Sequence, residues 1–130
     1  MNKIIIVSGP VIVKDNKVLL DKDRKDDFWK FCGGKVKEDE RLVDTAKRRS
    51  KEELGIDVKL LNKNPFMAFS EKEAETGNID VILAHFLAIT ESEIKPGADI
   101  REWKWIPLAD LEKEPLAPNI LPALKYFKFI

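Results

Sequence analysis

The chain has 130 residues, which is the length of one domain, 1–130, with enough material for a hydrophobic core of its own. Its 23 basic residues cancel its 23 acidic ones, so no global field draws it to a polyanion or a membrane surface, and coating of a nucleic-acid polymer is not expected. With 35% charged and 44% hydrophobic residues, the composition is that of a folded chain and not of a disordered one.

The first segment, "KIIIVSGPVIVKDNKVLLDKD", reads as two β-rich runs joined at "KDNK", where Asp15 and Asn16 are turn formers, and so predicts a hairpin. Its apolar run Ile4 to Val7 is cut off by Gly9 and Pro10, too short to serve as a signal-peptide core or to span a bilayer. Cys32 is the only cysteine and cannot form an internal disulfide, so a reducing, cytoplasmic location is the expectation. A charged loop then leads to "FWKF" and to Gly33 and Gly34, whose backbone can take shapes that side chains forbid.

From about Glu40 to Leu54 the apolar positions Leu42, Val43, Ala46 and Leu54 recur at helical spacing, and Gly55 is placed to stop the helix. "IDVKLL" predicts a strand. "NIDVILAHFLAIT", apolar on both faces, predicts a longer one of central type. Glu71, Glu73 and Glu75 fall in what reads as a solvated loop before it. "REWKWIPL" predicts a further strand, "LADLEKE" a short helical turn, and "NILPALKYFKFI" a terminal helix with Pro122 early in it. Strands interleaved with helices give an α/β layered domain.

The helix carries the chemistry. Residues three and four apart share a face, which sets Arg48 beside Glu52, and Arg49 beside Glu52 and Glu53. Taken alone this is an ion-paired surface helix. Beside a Gly-Gly turn and an acidic segment, the same carboxylates become clustered hard oxygens suited to Mg²⁺, with backbone able to approach a ligand closely.

This stretch resembles the Nudix hydrolase signature, G-x5-E-x7-R-E-U-x-E-E-x-G-U with U a bulky aliphatic residue. Gly34, Glu40, Arg48, Glu52, Glu53, Gly55 and Ile56 fall in register without a gap. Outside it, "GPVIVKDNKVLL" is similar to the family's opening hairpin, "FWKFCGGKV" to its Trp-x-Leu-Pro-Gly-Gly segment, and "WIPLADL" to its Trp-x-Pro-x-x-x-Leu segment. Four positions depart from the pattern: Arg49 stands where the family has glutamate, Ser50 where it has an aliphatic residue, Cys32 where proline is usual, and Asp39 where glycine precedes the first glutamate.

The resemblance implies a Nudix-type α/β/α sandwich with a mixed sheet between helices. It also implies a pyrophosphohydrolase using Mg²⁺, with Mn²⁺ able to substitute, and a nucleotide substrate. A (deoxy)nucleoside triphosphate comes first and ADP-ribose or another nucleotide-sugar second. The expected metal ligands are Glu52, Glu53, Gly34 and Glu102, and the expected catalytic residues Glu53, Glu52, Glu102 and Arg48. Gly33, Gly34, Lys35, Arg49, Asn119 and Trp29 are the expected substrate contacts. Neither a nucleic-acid polymer nor a membrane is an expected partner, and the chain is expected as a monomer or homodimer.

Arg49 opens a second possibility. A guanidinium cannot ligate a metal and competes for Glu52 and Glu53, yet it suits phosphate oxygens, so a nucleotide-binding module with impaired turnover is the alternative. Several residues carry two readings. Asp99 and Glu102 are either an acidic loop supplying a ligand or base, or charge on a strand rim. Asn119 reads a base edge or caps the last helix. Phe28 and Trp29 stack on a base or pack in the core. His85 is expected as a partly buried, hydrogen-bonded histidine, Cys32 as a small packed side chain, and Trp103 and Trp105 as packing on one strand face.

Overall fold

The computed structural model describes residues 3–75 and 77–130. Strand β1 (Lys3–Lys14) turns through Asp15 and Asn16, at φ 52° and 61°, into β2 (Lys17–Asp23). Two successive positive φ values are what a two-residue hairpin turn needs, and Asp and Asn tolerate them better than most side chains. A two-residue β3 (Gly34–Lys35) and helix α1 (Leu42–Leu54) follow. The remaining elements are β4 (Lys59–Leu60), β5 (Phe66–Ala74), β6 (Gly77–Ile89), β7 (Ile100–Pro107), a 3-10 helix (Leu108–Lys113) and α2 (Ile120–Tyr126).

The sheet is mixed, as expected. β6 runs parallel to β1 over ten residue pairs from Lys3–Ile79 to Ile12–Ala88, while every other pairing of named strands is antiparallel. On its other edge β1 meets β3 at Val7 and Ser8 and then β2 at Val13 and Lys14. The sheet therefore divides at the middle of β1, and the glycine turn enters at the division.

Side-chain alternation assigns the two faces. Val11, Val18, Leu20 and Ile106 point one way and are covered by Ile120, Ala123 and Leu124 of α2, with Trp29 and Phe31 in the same cluster. Ile12 and Leu19 point the other way and are covered by Leu54 and Ile56 at the end of α1. A period of two within the strands thus produces an α/β/α arrangement.

Three expectations change. Glu71 and Glu73 belong to the exposed edge strand β5 and not to a loop; every residue from Phe69 on is exposed and Glu71, Lys72 and Glu73 follow one another, so the apolar alternation that marks a strand is missing there. "IDVKLL" contributes only the two residues of β4. Trp29, expected at a base, is buried in the α2-side core, and its indole N–H donates to Glu114 at 3.0 Å.

α1 ends at Gly55, whose φ of 66° is the left-handed geometry a helix stop favours. Gly9 is constrained by proximity. A Cβ there would lie 1.9 Å from the Cys32 carbonyl oxygen and 2.8 Å from Gly33 Cα, so β1 and the glycine turn touch backbone to backbone. Gly9→Ala is expected to lower stability by at least about 2 kcal/mol in chemical denaturation, because neither backbone can yield without moving the sheet or the turn.

Candidate active site

Three elements converge at the C-terminal half of α1: the helix itself, the turn Cys32–Lys35, and the loop before β7. The loop is pinned to the helix end by Lys95 N–H donating to the Leu54 carbonyl at 2.7 Å and Gly97 N–H to that of Glu53 at 2.8 Å. The turn is pinned to it by Gly33 N–H donating to Glu53 Oε1 at 3.0 Å.

Arg48 orders the acidic residues. Its guanidinium donates through Nε and Nη2 to both oxygens of Glu40, at 2.8 and 2.9 Å, through Nη1 to Glu52 at 2.5 Å, and through Nη2 to the Lys35 carbonyl at 3.0 Å. Glu40 also accepts from the Thr45 hydroxyl at 2.6 Å. These bonds to the charged form, led by Arg48, hold the Glu40 carboxyl down at about 2, and Arg48 likewise lowers that of Glu52. Burial instead pushes the Glu53 carboxyl up, against the opposing Gly33 N–H and Arg49.

Arg49 lies across the turn. Its guanidinium stands 3.5 Å from Glu52, 3.2 Å from Glu53 and, through Nε, 3.4 Å from the Gly33 carbonyl. A Cβ on Gly34 would meet Arg49 Nε at 2.1 Å, so the absence of a side chain at Gly34 is what admits the arginine. Two carboxylates and a carbonyl oxygen around one point form the hard donor set that Mg²⁺ takes. The residues fit such an ion, with the Arg49 guanidinium, on a long half-buried side chain, as its direct competitor.

A cavity of about 490 Å³ opens beside the turn. Gly33, Gly34 and Lys35 line one part; Phe28, Phe31, Phe69, His85 and Asn119 line another. Lys30, also in its wall, is engaged by Asp23 at 2.6 Å and Asp26 at 3.1 Å, whereas Lys35 is exposed and makes no ion pair among the described residues.

The sequence reading left Asn119 between a cap and a base reader. It sits at the start of α2, but its side chain makes no capping bond; its Nδ2 donates to His85 Nε2 at 2.7 Å inside the cavity wall. His85 is buried, its ring 4.8 Å from that of Phe31, and burial lowers its imidazolium to about 4, so the ring is neutral with Nε2 as acceptor. The hydrogen-bonded state expected of His85 is half met, since Nδ1 has no partner of good geometry among the described residues.

The other expected residues separate. Glu102 is exposed on β7 opposite Lys22, 3.7 Å from its ammonium, and is not among the residues lining the cavity. Asp99 is exposed in the turn before β7. Gly34 is paired with Ser8 in the β1–β3 ladder, and the carbonyl facing the Arg49 guanidinium belongs to Gly33. Phe28, not Trp29, lines the cavity. Trp105 packs against the α1-side core, while Trp103 is 39% exposed.

One residue escaped the sequence reading altogether. Asp21 is fully buried on β2, with neither carboxylate oxygen hydrogen-bonded among the described residues, and burial followed by the neighbouring Glu53 raises its carboxyl to about 8. The signal was there: in "KVLLDKD" the aspartate shares the face of Leu19, two residues earlier, and that face is core.

The model of the NUDIX domain matches residues 4–127 of the chain. The chain belongs to the Nudix hydrolase family. Among curated proteins it is similar to an 8-oxo-dGTP diphosphatase of Buchnera aphidicola subsp. Schizaphis graminum, 46% identical over 57 residues, a match spanning 41% of this chain and 43% of that protein. Among solved structures, the E. coli ORF135 protein is 27% identical, with 97% of this chain and 89% of that one covered and a TM-score of 0.75. A MutT Nudix hydrolase from Burkholderia pseudomallei is 25% identical, with 95% and 98% covered and a TM-score of 0.76.

The buried histidine yields a pH dependence. Its pKa of about 4 in the folded protein lies below the ordinary 6.5, so the unfolded chain binds the extra proton first as pH falls. This group alone therefore withdraws up to about 3 kcal/mol of stability between about pH 6.5 and 4, while Asp21, its carboxyl raised to about 8, acts in the opposite sense over the same range. Denaturation of the wild type and His85→Gln across that range checks it by difference, the variant losing less stability, or gaining more, than the wild type as pH falls.

Proposed function

We propose that this protein is a divalent-cation-dependent pyrophosphohydrolase of nucleoside triphosphates, with a (deoxy)nucleoside triphosphate as substrate and turnover restrained by Arg49. The observation that carries the reading is the continuity of the cavity. Its aromatic part, with Phe28, Phe31, His85 and Asn119, is of a size and chemistry for a base, and its other part is walled by Gly33, Gly34 and Lys35, the turn that the Gly33 N–H ties to Glu53, where phosphates would lie. The partial match to an 8-oxo-dGTP diphosphatase supports a purine as that base, and a neutral His85 bonded to Asn119 offers amide and ring groups able to read a base edge.

Glu52 and Glu53, with the Gly33 carbonyl, would hold the ion, which when bound screens the phosphate oxygens and favours water attack on a bridging phosphorus. The residues of the chain do the rest. Arg48 fixes Glu52 through paired hydrogen bonds with Glu40, so that carboxylate is ordered before any ligand arrives. Lys35 places a mobile cation at the phosphate end. Glu53, its carboxyl raised by burial, is the group suited to accept a proton from the attacking water.

A second reading has its own observation. The guanidinium of Arg49 already satisfies Glu52, Glu53 and Gly33, which suits a nucleotide-binding module that has lost turnover. Release of phosphate and pyrophosphate over a nucleotide panel, with Mg²⁺ and with Mn²⁺, separates the two. Arg49→Glu is expected to raise kcat about 10- to 1000-fold and to make the apo protein less stable but more stabilised by Mg²⁺. A wild type turning over at about 1 per second or more, with no gain in the variant, would show that Arg49 imposes no restraint.

A further inference from the structure

Beside Glu53 lie two buried groups that the proposed hydrolysis does not use. Oxygens of Asp21 and Glu53 and the sulfur of Cys32 all fall within 4.8 Å of one another, and all three residues are buried. We propose that Asp21, Cys32 and Glu53 form a binding site for a thiophilic divalent cation of the zinc class.

The strongest support is Asp21. A carboxylate offers about four acceptor sites, and a buried one left without any partner is rare in a folded protein. Here both oxygens lack a partner among the described residues, on a fully buried side chain aimed into the cluster. Cys32 is weakly held: among the described residues its sulfur has the Arg49 carbonyl at 3.7 Å and Glu53 Oε1 at 4.0 Å, with the Ser50 side chain also beside it. A cation would satisfy both at once.

The geometry is close to what an ion requires. Three atoms no more than 4.8 Å apart share a point at most about 2.8 Å from each, whereas zinc takes oxygen at about 2.0–2.2 Å and sulfur at about 2.3 Å. Closing that gap needs side-chain adjustments of about half an ångström. The backbone is already set, because Asp21 and Lys30 exchange two N–H···O=C bonds of 2.9 Å that hold β2 against the segment leading to Cys32. Three protein donors leave a fourth tetrahedral position for water.

The donor set chooses the class. Mg²⁺ demands oxygen and near-octahedral space, whereas one sulfur with two carboxylates in a dry pocket suits a borderline-soft ion content with four ligands. Burial raises the carboxyls of Asp21 and Glu53 and the thiol of Cys32 together, the pattern of three acids sharing a pocket whose neighbouring Lys30 and Arg49 offset burial only in part. Arg49, 3.2 Å from Glu53, supplies part of the counter-charge; a bound ion would supply more, and the bound thiol would release its proton to solvent.

The test uses the full chain freed of metal by a chelator and titrated with Cd²⁺ and Co²⁺, both of which give ultraviolet charge-transfer bands when bound by a thiolate. One equivalent should bring in the band and raise the melting temperature. Cys32→Ser should lose the band, with Cys32→Ala as a second variant should the serine not fold. Asp21→Asn should weaken binding at least about 10-fold, and Glu52→Gln, which lies outside the cluster, should keep the band. No band in the wild type at saturating Cd²⁺, a band that survives in either Cys32 variant, or unchanged affinity in Asp21→Asn would each overturn the site. None of these readouts depends on hydrolysis.

Discussion

The hydrogen bond from Gly33 N–H to the Glu53 carboxylate is the contact around which the site is assembled. It joins the last turn of α1 to the glycine turn at 3.0 Å. Gly9 presses on the back of that turn, backbone against backbone, so the turn can shift neither toward the sheet nor away from the helix. With the turn held, the Gly33 carbonyl faces α1, Gly34 leaves room for Arg49, and Lys35 projects at the mouth of the cavity. A carboxylate bound to a backbone N–H and buried is also a poor ion in isolation, which is why so much positive charge has gathered around Glu53.

That gathering explains how one helix face can hold two arginines and two glutamates. Arg48 and Arg49 look alike in the sequence, but they do different work. Arg48 is clamped between Glu40 and Glu52 by paired, charge-assisted bonds and orders the loop ahead of the helix. Arg49 reaches the other way, over Gly34, and sits among the oxygens that a divalent ion would need. Its pair with Glu52 is longer and partly exposed, so that hold is weak, while its pair with Glu53 closes on a buried carboxylate and is the one a cation would have to replace.

Most of the fold was legible because its signals are local. The hairpin follows from Asp15 and Asn16, the helix stop from Gly55, and the two faces of the sheet from the alternation of Val18, Leu19 and Leu20. β5 was missed for a physical reason: an edge strand bonded on one side only, with charged side chains in solvent, has no apolar period to read. Arg48, Arg49, Glu52 and Glu53 were legible in the same way, since an i to i+4 spacing already puts charges on one helix face, whereas Gly34 and Glu40, ahead of the helix, were picked out by the family resemblance.

What the sequence determined by itself is therefore the opening hairpin, helix α1 with its stop, the central strand and the collision of Arg49 with Glu52 and Glu53, because each depends on residues close together in the chain, and the family box, which is a fixed spacing within one stretch from Gly34 to Ile56. Tertiary structure alone decided the rest. It sent Trp29 to the core and Phe28 to the cavity, placed Glu102 out on a strand beside Lys22, and turned the Asn119 side chain from its helix to His85, 34 residues away. It also brought Asp21 of β2 and Cys32 of the turn beside Glu53 of α1. Such meetings depend on how the sheet divides at β1 and where the helix packs over it, a long-range geometry that no spacing within one segment encodes.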